Sequence, residues 1–353
     1  MIGSVGHSTS AEIAVIVVNW NRRDLLRRCL ESLVRQQGVN FEVVLVDNGS
    51  QDGSADMAAR EFGATGSLRL RAIQNPVNRG FCAANNQGIA ATEADFVALL
   101  NNDAEADPGW LAALRGIFEG RPEAGMAASK ILVFDDPRRI DKAGHLIYPD
   151  GQNRGRGSGE LDAGQYDRIE EVLWPDGCAA MYRKAMLDVT GGFDEDFFAY
   201  GDDAELGLRA RIAGWTCFYA PDAVVRHHRG STLGITSSRR LELIERNRVL
   251  LAVKLFPGSL LWLNGPYYLA RIAAGVLAAA RQKGEIRKFQ GWREKCRAGM
   301  ALMKGDLAAL RLLPRMLRKR REIERIRKLN PSQVRALILQ NRISLRALME
   351  SEN

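Results

Sequence analysis

The sequence predicts an α/β protein, a mixed and mostly parallel sheet with helices on both faces, extended at the C-terminus by a basic α-helical region. Three observations lead there. Over the first 130 residues, short apolar runs of strand length alternate with segments of helical period, the pattern of a parallel sheet covered on both sides. From Arg239 onward only helical periodicity remains. The charge divides at the same place: residues 239–353 hold 26 Lys+Arg and 9 Asp+Glu, net +17, whereas residues 1–238 hold 24 and 33, net −9.

Ile13–Trp20 is the first apolar run, a strand closing on Asn19-Trp20-Asn21. Asp24–Gln37 places Leu25, Leu26, Leu30, Leu33 and Val34 at helical spacing and stops at Gly38. Phe41–Val46 is a second strand, and Asp52-Gly53-Ser54 opens a helix with small side-chain acceptors. Leu68–Ile73 reads as a third strand, Gly80–Ala91 as a small-residue helix and Phe96–Leu100 as a fourth strand. Pro108 starts a helix to about Phe118. Beyond Lys130 the pattern fades: Phe134–Glu171 is rich in Gly, Asp and Arg and predicts a functional or mobile stretch. Order returns with a strand at Gly177–Tyr182, a helix at Asp203–Ala213, and short strands at Thr216–Tyr219 and Ala223–His227.

The C-terminal candidates are helices at Leu241–Phe256, Tyr267–Lys283, Gln290–Leu313 and Pro331–Met349. The longest uncharged stretch, Leu255–Ala270, is broken by Pro257 and Pro266 and is too short to span a bilayer. Its Trp and two Tyr suit a membrane interface, and the basic helices around it suit an anionic surface. The expected organisation is a disordered N-terminus at 1–10, an α/β domain at 11–238, and a membrane-associating or oligomerising helical region at 239–353.

The chain has 353 residues, 46% of them hydrophobic and 26% charged, which is ordinary for a folded protein. Five scattered cysteines (Cys29, Cys82, Cys178, Cys217, Cys296) without a Cys-x-x-Cys pair argue against a zinc site or a disulfide framework and fit a reducing compartment. Met1–Ser10 lacks the basic and apolar regions of a signal peptide. A location on the cytoplasmic face, peripheral to the membrane, is expected. Basic helices also permit nucleic-acid binding, but no nucleic-acid module accompanies them, and none is expected.

Chemistry concentrates at three acidic positions. Asp47 and Asp103 each follow an apolar strand, and Asp202-Asp203 opens a helix. Carboxylates where the chain leaves a sheet are placed to meet a ligand, and three such sites suggest a nucleotide, a divalent metal and a catalytic base. Each has a structural alternative. Asp47-Asn48-Gly49-Ser50 is turn chemistry, Asp103 lies ahead of a helix N-terminus, and adjacent acids at a helix start are stabilised by its dipole.

Several spaced motifs occur together and in order: Val17-Val18-Asn19-Trp20-Asn21, Val46-Asp47-Asn48-Gly49-Ser50, Asn78-Arg79-Gly80-Phe81, Asn101-Asn102-Asp103, Gly191-Gly192-Phe193-Asp194-Glu195-Asp196-Phe197-Phe198 and Asp202-Asp203. Over about residues 11–235 the chain resembles the family 2 glycosyltransferases, nearest to their bacterial rhamnosyltransferase-like branch. The resemblance implies a GT-A fold, a nucleoside-diphosphate sugar donor, Mg²⁺ or Mn²⁺, and transfer with inversion to a glycan or lipid-linked acceptor. It carries the base onto Asp203, with Asp202 standing where the family has Glu. It carries the metal onto Asp103, with Asn101 in place of the first acid of Asp-x-Asp, so one strong ligand is expected, aided by His227. Asn19, Asn21, Asp47, Asn78, Arg79 and Asn102 are the expected nucleotide contacts. Asn85, Trp174, Asp176, Asp202, Arg229 and Ser231 are the expected donor or acceptor contacts, with packing the alternative for Trp174 and helix exposure for Asn85. A catalytically silent sugar-nucleotide binding or scaffold protein is the second reading, against which the intact Asp103 and Asp203 argue. A homo-oligomer is left open.

Overall fold

The computed structural model describes residues 11–63, 66–228, 237–280 and 291–349. The N-terminal ten residues expected to be disordered lie outside them, as do the expected contacts Arg229 and Ser231. In chain order the elements are β1 (Ile13–Asn19), α1 (Arg23–Val34), β2 (Phe41–Asp47), α2 (Ser54–Ala58), β3 (Leu70–Gln74), α3 (Phe81–Ala90), β4 (Phe96–Leu100), β5 (Ala104–Ala106), α4 (Trp110–Ile117) and β6 (Ala124–Val133). There follow β7 (Ile140–Lys142), β8 (His145–Ile147), β9 (Asn153–Gly155), β10 (Glu170–Glu171), β11 (Ala179–Arg183), α5 (Lys184–Thr190), α6 (Asp202–Ile212) and β12 (Thr216–His227). The C-terminal helices are α7 (Ser238–Leu255), α8 (Gly258–Ala280), α9 (Gly291–Ile323), α10 (Pro331–Gln340) and α11 (Leu345–Met349).

The main sheet runs β10-β12-β6-β11-β4-β1-β2-β3, with β5 on β12 and β7 on β6. β3, β2, β1 and β4 are mutually parallel; β6 and β12 point the same way because β11 is antiparallel to both β4 and β6. The sheet is therefore mixed and mostly parallel. β1 and β4 are buried almost throughout because helices cover both faces. Leu26, Leu30, Leu33, Trp110 and Leu114 fill one side, from α1 and α4. Met186, Leu206 and Leu208 fill the other, from α5 and α6, in a core that continues into Leu250, Phe256, Met316 and Val334 of the C-terminal helices. Strand order reverses around β1, so the C-terminal ends of β2, β1 and β4 open beside one another, the place where open α/β sheets bind ligands.

Four expectations change. β6 is a central strand that the sequence does not announce: Ala-Gly-Met-Ala-Ala-Ser offers almost no bulk, because Gly125 must admit Met186 and Trp215, whose atoms would lie 2.9 Å from an added Cβ. The two strands expected at 216–219 and 223–227 are one, β12; Pro221 falls where the register with β6 shifts between Ala220 and Val224, so the bulge absorbs the missing N–H. Phe134–Glu171 is not structureless but carries β7 to β10. Pro266 does not break α8, nor Pro314 α9; both prolines sit on exposed helix faces.

Candidate active site

At the end of β1, Asn19 is fully buried and ties three strands together. Its Nδ2 donates to Asp47 Oδ2 (3.1 Å) and Ser50 Oγ (3.1 Å), and its Oδ1 accepts from Asn102 Nδ2 (2.7 Å). Ser50 N–H donates to Asp47 Oδ1 (2.9 Å), and Asn21 N–H to Ser50 Oγ (2.7 Å). Asn19 and Asn102 thus orient Asp47 from behind. Asn21 and Arg22 hold positive φ (56° and 73°), strain of the kind kept at binding loops. Next to them Trp20, Arg23, Leu25 and Asp52 line an open cleft of about 610 Å³, in the size range of ligand sites.

Asn78 shapes the following loop: its Oδ1 accepts from Gly80 N–H (2.8 Å) and from Asn48 Nδ2 (2.9 Å). The Asn78 oxygen is thus engaged within the protein, and the residue shapes the loop at which the nucleotide contact is expected. Arg79 is exposed and has no ion pair among the described residues. Gly80 has φ +88°, and an added Cβ would sit 2.5 Å from the Phe198 ring. This close approach presses the Asn-Arg-Gly-Phe loop against the segment leading to Asp202.

Asp103 follows β4 and is buried. His228 N–H donates to its carbonyl (2.9 Å), fixing the end of β12 beside it. His227 Nε2 lies 3.4 Å from Asp103 Oδ1, and His227 Nδ1 lies 2.8 Å from Asp141 Oδ2. The neighbouring His228 turns instead to Glu105 (3.2 Å) and stacks on Phe134. Burial alone would lower the His227 pKa; the Cys178 sulfur and the carboxylates of Asp103 and Asp141 override it, and the direction is up. Cys178 is itself pushed up by burial and is a neutral thiol, so the two carboxylates carry the effect. The donor set fits a divalent cation. Asp141 engages Nδ1 and leaves Nε2, the atom facing Asp103, as the available ligand, the carboxylate–histidine arrangement of metal sites.

Asp203 opens α6, with Gly201 in the left-handed region as its N-cap (φ 71°). Its Oδ1 accepts from Ala204 N–H (2.8 Å) and its Oδ2 from Gly177 N–H (3.4 Å). His145 Nε2 lies 3.6 Å from Asp203 Oδ2 and 2.9 Å from Asp176 Oδ2, and Lys142 Nζ lies 2.6 Å from the same Asp176 oxygen. Burial would raise the Asp176 pKa, but Lys142 and His145 outweigh it and hold that carboxyl well below the usual range. For Asp203, burial raises the pKa, His145 and Lys142 pull it back, Asp176 pushes it up, and the net direction is up. Burial and then the Asp203 charge push Asp202 well above the usual range, so Asp202 holds the proton of the pair. The His145, Asp176 and Asp203 donor atoms lie within 4.8 Å of one another. Lys142 already supplies positive charge there, so the cluster orients a base.

The two acidic centres are joined by short segments. Asn101 N–H donates to Cys178 O (2.8 Å), which sets Asp176-Gly177-Cys178 beside Asn101-Asn102-Asp103, and Asp141 and Lys142 are consecutive on β7. Two expectations are corrected. Trp174 is fully buried against Gly207, whose added Cβ would lie 2.2 Å from it, so it presents no face to a sugar. Asn85 is buried with its amide donating to Phe81 O (2.9 Å). Asp141, Lys142 and His145 were missed by sequence reasoning; their one signal, apolar Ile140, Leu146 and Ile147 around them, belongs to strands of three residues.

A strand-end carboxylate, a His–Asp pair that fits a cation and a half-buried carboxylate at a helix start stand around the switch point of the sheet, the arrangement expected of a GT-A glycosyltransferase. The chain matches the description "Glycosyl transferase family 2" over residues 14–190, and it belongs to that family. It is 28% identical over 246 residues to the N-acetylglucosaminyl-diphospho-decaprenol L-rhamnosyltransferase of Mycobacterium tuberculosis, covering 63% of this chain and 78% of the relative. It is 29% identical over 223 residues to the pre-mycofactocin glycosyltransferase of the same species, covering 61% and 42%. Among solved structures, GalNAc-T7 with UDP, GalNAc and Mn²⁺ superposes with a TM-score of 0.57 at 14% identity over 72% of this chain and 49% of that one. The mannosyltransferase PcManGT of Pyrobaculum calidifontis with GDP-Man and Mn²⁺ superposes with a TM-score of 0.51 at 18% identity over 95% and 88%. These structural likenesses show the fold.

Proposed function

We propose that this glycosyltransferase moves a sugar, with dTDP-rhamnose the first donor to test and UDP-sugars the next, onto a hydroxyl of a lipid-linked or polysaccharide acceptor, inverting the anomeric centre. The observation that carries it is the half-buried Asp203, held by two backbone N–H groups with His145 beside it, one short segment away from the Asp103–His227 pair.

Asp47, fixed by Asn19 and Ser50, accepts from the pyrimidine N3–H, and the exposed Arg79 pairs with diphosphate oxygens, a role shared with Arg229 and Ser231. Asp203 accepts the proton of the acceptor hydroxyl as that oxygen attacks the anomeric carbon from the side opposite the leaving group. Its raised pKa makes it a stronger base than an ordinary aspartate. Asp103 and His227 would hold Mg²⁺ or Mn²⁺, which when bound neutralises charge on the diphosphate. A lipid-linked acceptor places the protein peripherally on the cytoplasmic face of a membrane; among the described residues no helix is long and apolar enough to cross one. The relative named as a decaprenol-linked rhamnosyltransferase supports this choice of donor and acceptor.

The test is a thermal-shift screen of nucleotide sugars with and without Mn²⁺ or Mg²⁺, followed by transfer to a polyprenyl-diphosphate acceptor and assignment of the product anomer by NMR. Donor-dependent stabilisation that requires a cation, with an inverted product, is expected. A retained anomer, or no stabilisation by any pyrimidine sugar nucleotide, removes the reading.

A further inference from the structure

α8 is turned inside out with respect to charge. Its one charged side chain, Arg271, is buried, with Nε 2.5 Å from Asp150 Oδ2 and Nη2 2.9 Å from Glu245 Oε1. Its outer face is apolar at helical spacing: Trp262, Pro266, Leu269, Ala273 and Val276 are exposed, Trp262 by 87%. Tyr267 and Tyr268 turn inward, to Tyr148 and to Asp306 Oδ2 (2.8 Å), so Trp262 alone of the three aromatics faces out.

α9 repeats the theme in another form. Met300, Met303, Leu307, Leu310, Pro314 and Leu317 are exposed at alternating three- and four-residue steps. Beside that stripe, Arg297, Lys304, Arg311 and Arg318 recur every seven residues, are exposed, and make no ion pair among the described residues. The bond from Tyr268 to Asp306 joins the two helices next to Leu269 and Leu307.

We infer that the exposed faces of α8 and α9 are a docking surface for an anionic phospholipid bilayer, with the apolar side chains entering the headgroup boundary and the α9 cations against lipid phosphates. Charge selects this occupant over a second copy of the chain. Pairing α9 with itself along its apolar stripe would face one row of cations with another, and the one acid in mid-helix, Asp306, is engaged by Tyr268 and Arg248 (3.3 Å). The surface reaches the active site through α8. Asn264 Nδ2 and Arg248 Nη1 donate to Asp150 O (3.0 and 2.9 Å), five residues beyond His145 in the chain. The use of this surface, delivery of a lipid-linked acceptor, rests on the proposed function; the binding itself does not.

The full chain is floated with vesicles of phosphatidylcholine alone or with added phosphatidylglycerol, at low and high salt, without any substrate. Flotation only with the anionic vesicles is expected, weakened by salt. Trp262→Ser with Leu269→Ser should abolish it at an unchanged melting midpoint, and Arg311→Gln and Arg318→Gln should each lower the partition coefficient about fivefold. Absence of flotation with anionic vesicles, or flotation unaffected by either set of substitutions, overturns the inference. So does a dimer mass in light scattering that the apolar substitutions reduce to a monomer in a protein that binds no vesicles. A chain that floats as expected but transfers no sugar leaves the inference standing and removes the proposed function.

Discussion

His145 Nε2 lies 3.6 Å from Asp203 Oδ2 and 2.9 Å from Asp176 Oδ2, so a single ring atom links the proposed base to a carboxylate that Lys142 keeps ionised. The imidazole is buried and packs 6.1 Å from the Trp174 ring. Asp203 therefore has little freedom to rotate.

Two substitutions separate the base from the residue that holds it. Asp203→Asn keeps the shape of the site and removes the proton acceptor, so kcat should fall by about 10²–10⁴-fold while donor affinity stays within about twofold. His145→Gln should lower kcat about tenfold with the donor KM unchanged, because a mispositioned base affects only the chemical step. Initial rates and donor calorimetry check both. Normal turnover in Asp203→Asn would end the assignment.

The pH profile follows from the direction of the Asp203 shift. Its folded pKa is raised, by burial first, so as pH falls the base is protonated earlier than an ordinary aspartate, whose pKa is about 3.9. The acid limb of kcat/KM should lie above that value. Lys142 opposes the rise, so Lys142→Met should move the limb to still higher pH. A limb that stays fixed in Lys142→Met, or lies at the ordinary value in the native protein, contradicts this electrostatic account.

The three carboxylates were legible because each ends or begins a clear element: Asp47 as the last of seven strand residues, Asp103 after β4, Asp203 at the start of an eleven-residue helix. Their supports were not. Asp141, Lys142 and His145 lie on three-residue strands in a Gly-rich stretch, where no periodicity can develop. β6 hid because its small residues are chosen by its neighbours' bulk rather than by strand propensity. Asp194 and Asp196 lie in a stretch with no periodicity of its own. Asp194 is 2.6 Å from Lys254, and Asp196 is 2.8 Å from Arg315, partners more than fifty residues away that no local pattern reveals.

Asp141 gives a test of the cation site that spares the ligands themselves. It touches His227 Nδ1 at 2.8 Å and orients Nε2 toward Asp103. Asp141→Asn should raise the Mn²⁺ concentration for half-maximal activity by about 10–100-fold, with activity recovered at saturating metal. Asp103→Asn should not be recovered, and EDTA should silence the native protein. Identical metal titrations for native protein and Asp141→Asn would show that the pair does not hold the cation.

The last expectation concerns how the C-terminal helices stay on the catalytic core. Asp194 is buried between Lys254 of α7 and Lys319 of α9. Burial would raise its pKa, but the two ammonium groups outweigh it and bring it to about 2. The unfolded value is about 3.9, so the unfolded chain takes up this proton first as pH falls. The contribution is fully present above about pH 4, worth about 2 kcal/mol, and is lost as pH drops toward 2. Asp194→Asn should therefore cost about 2 kcal/mol in denaturant unfolding at neutral pH. It should not reach the larger penalty of a stranded buried charge, because Lys254 keeps Glu205 at 2.6 Å and Lys319 keeps Asp196 at 2.6 Å. The gap between native and Asp194→Asn proteins should narrow from pH 4 downward. A gap that is constant across that window, or absent at neutral pH, would show that these ion pairs do not fasten the helices to the sheet.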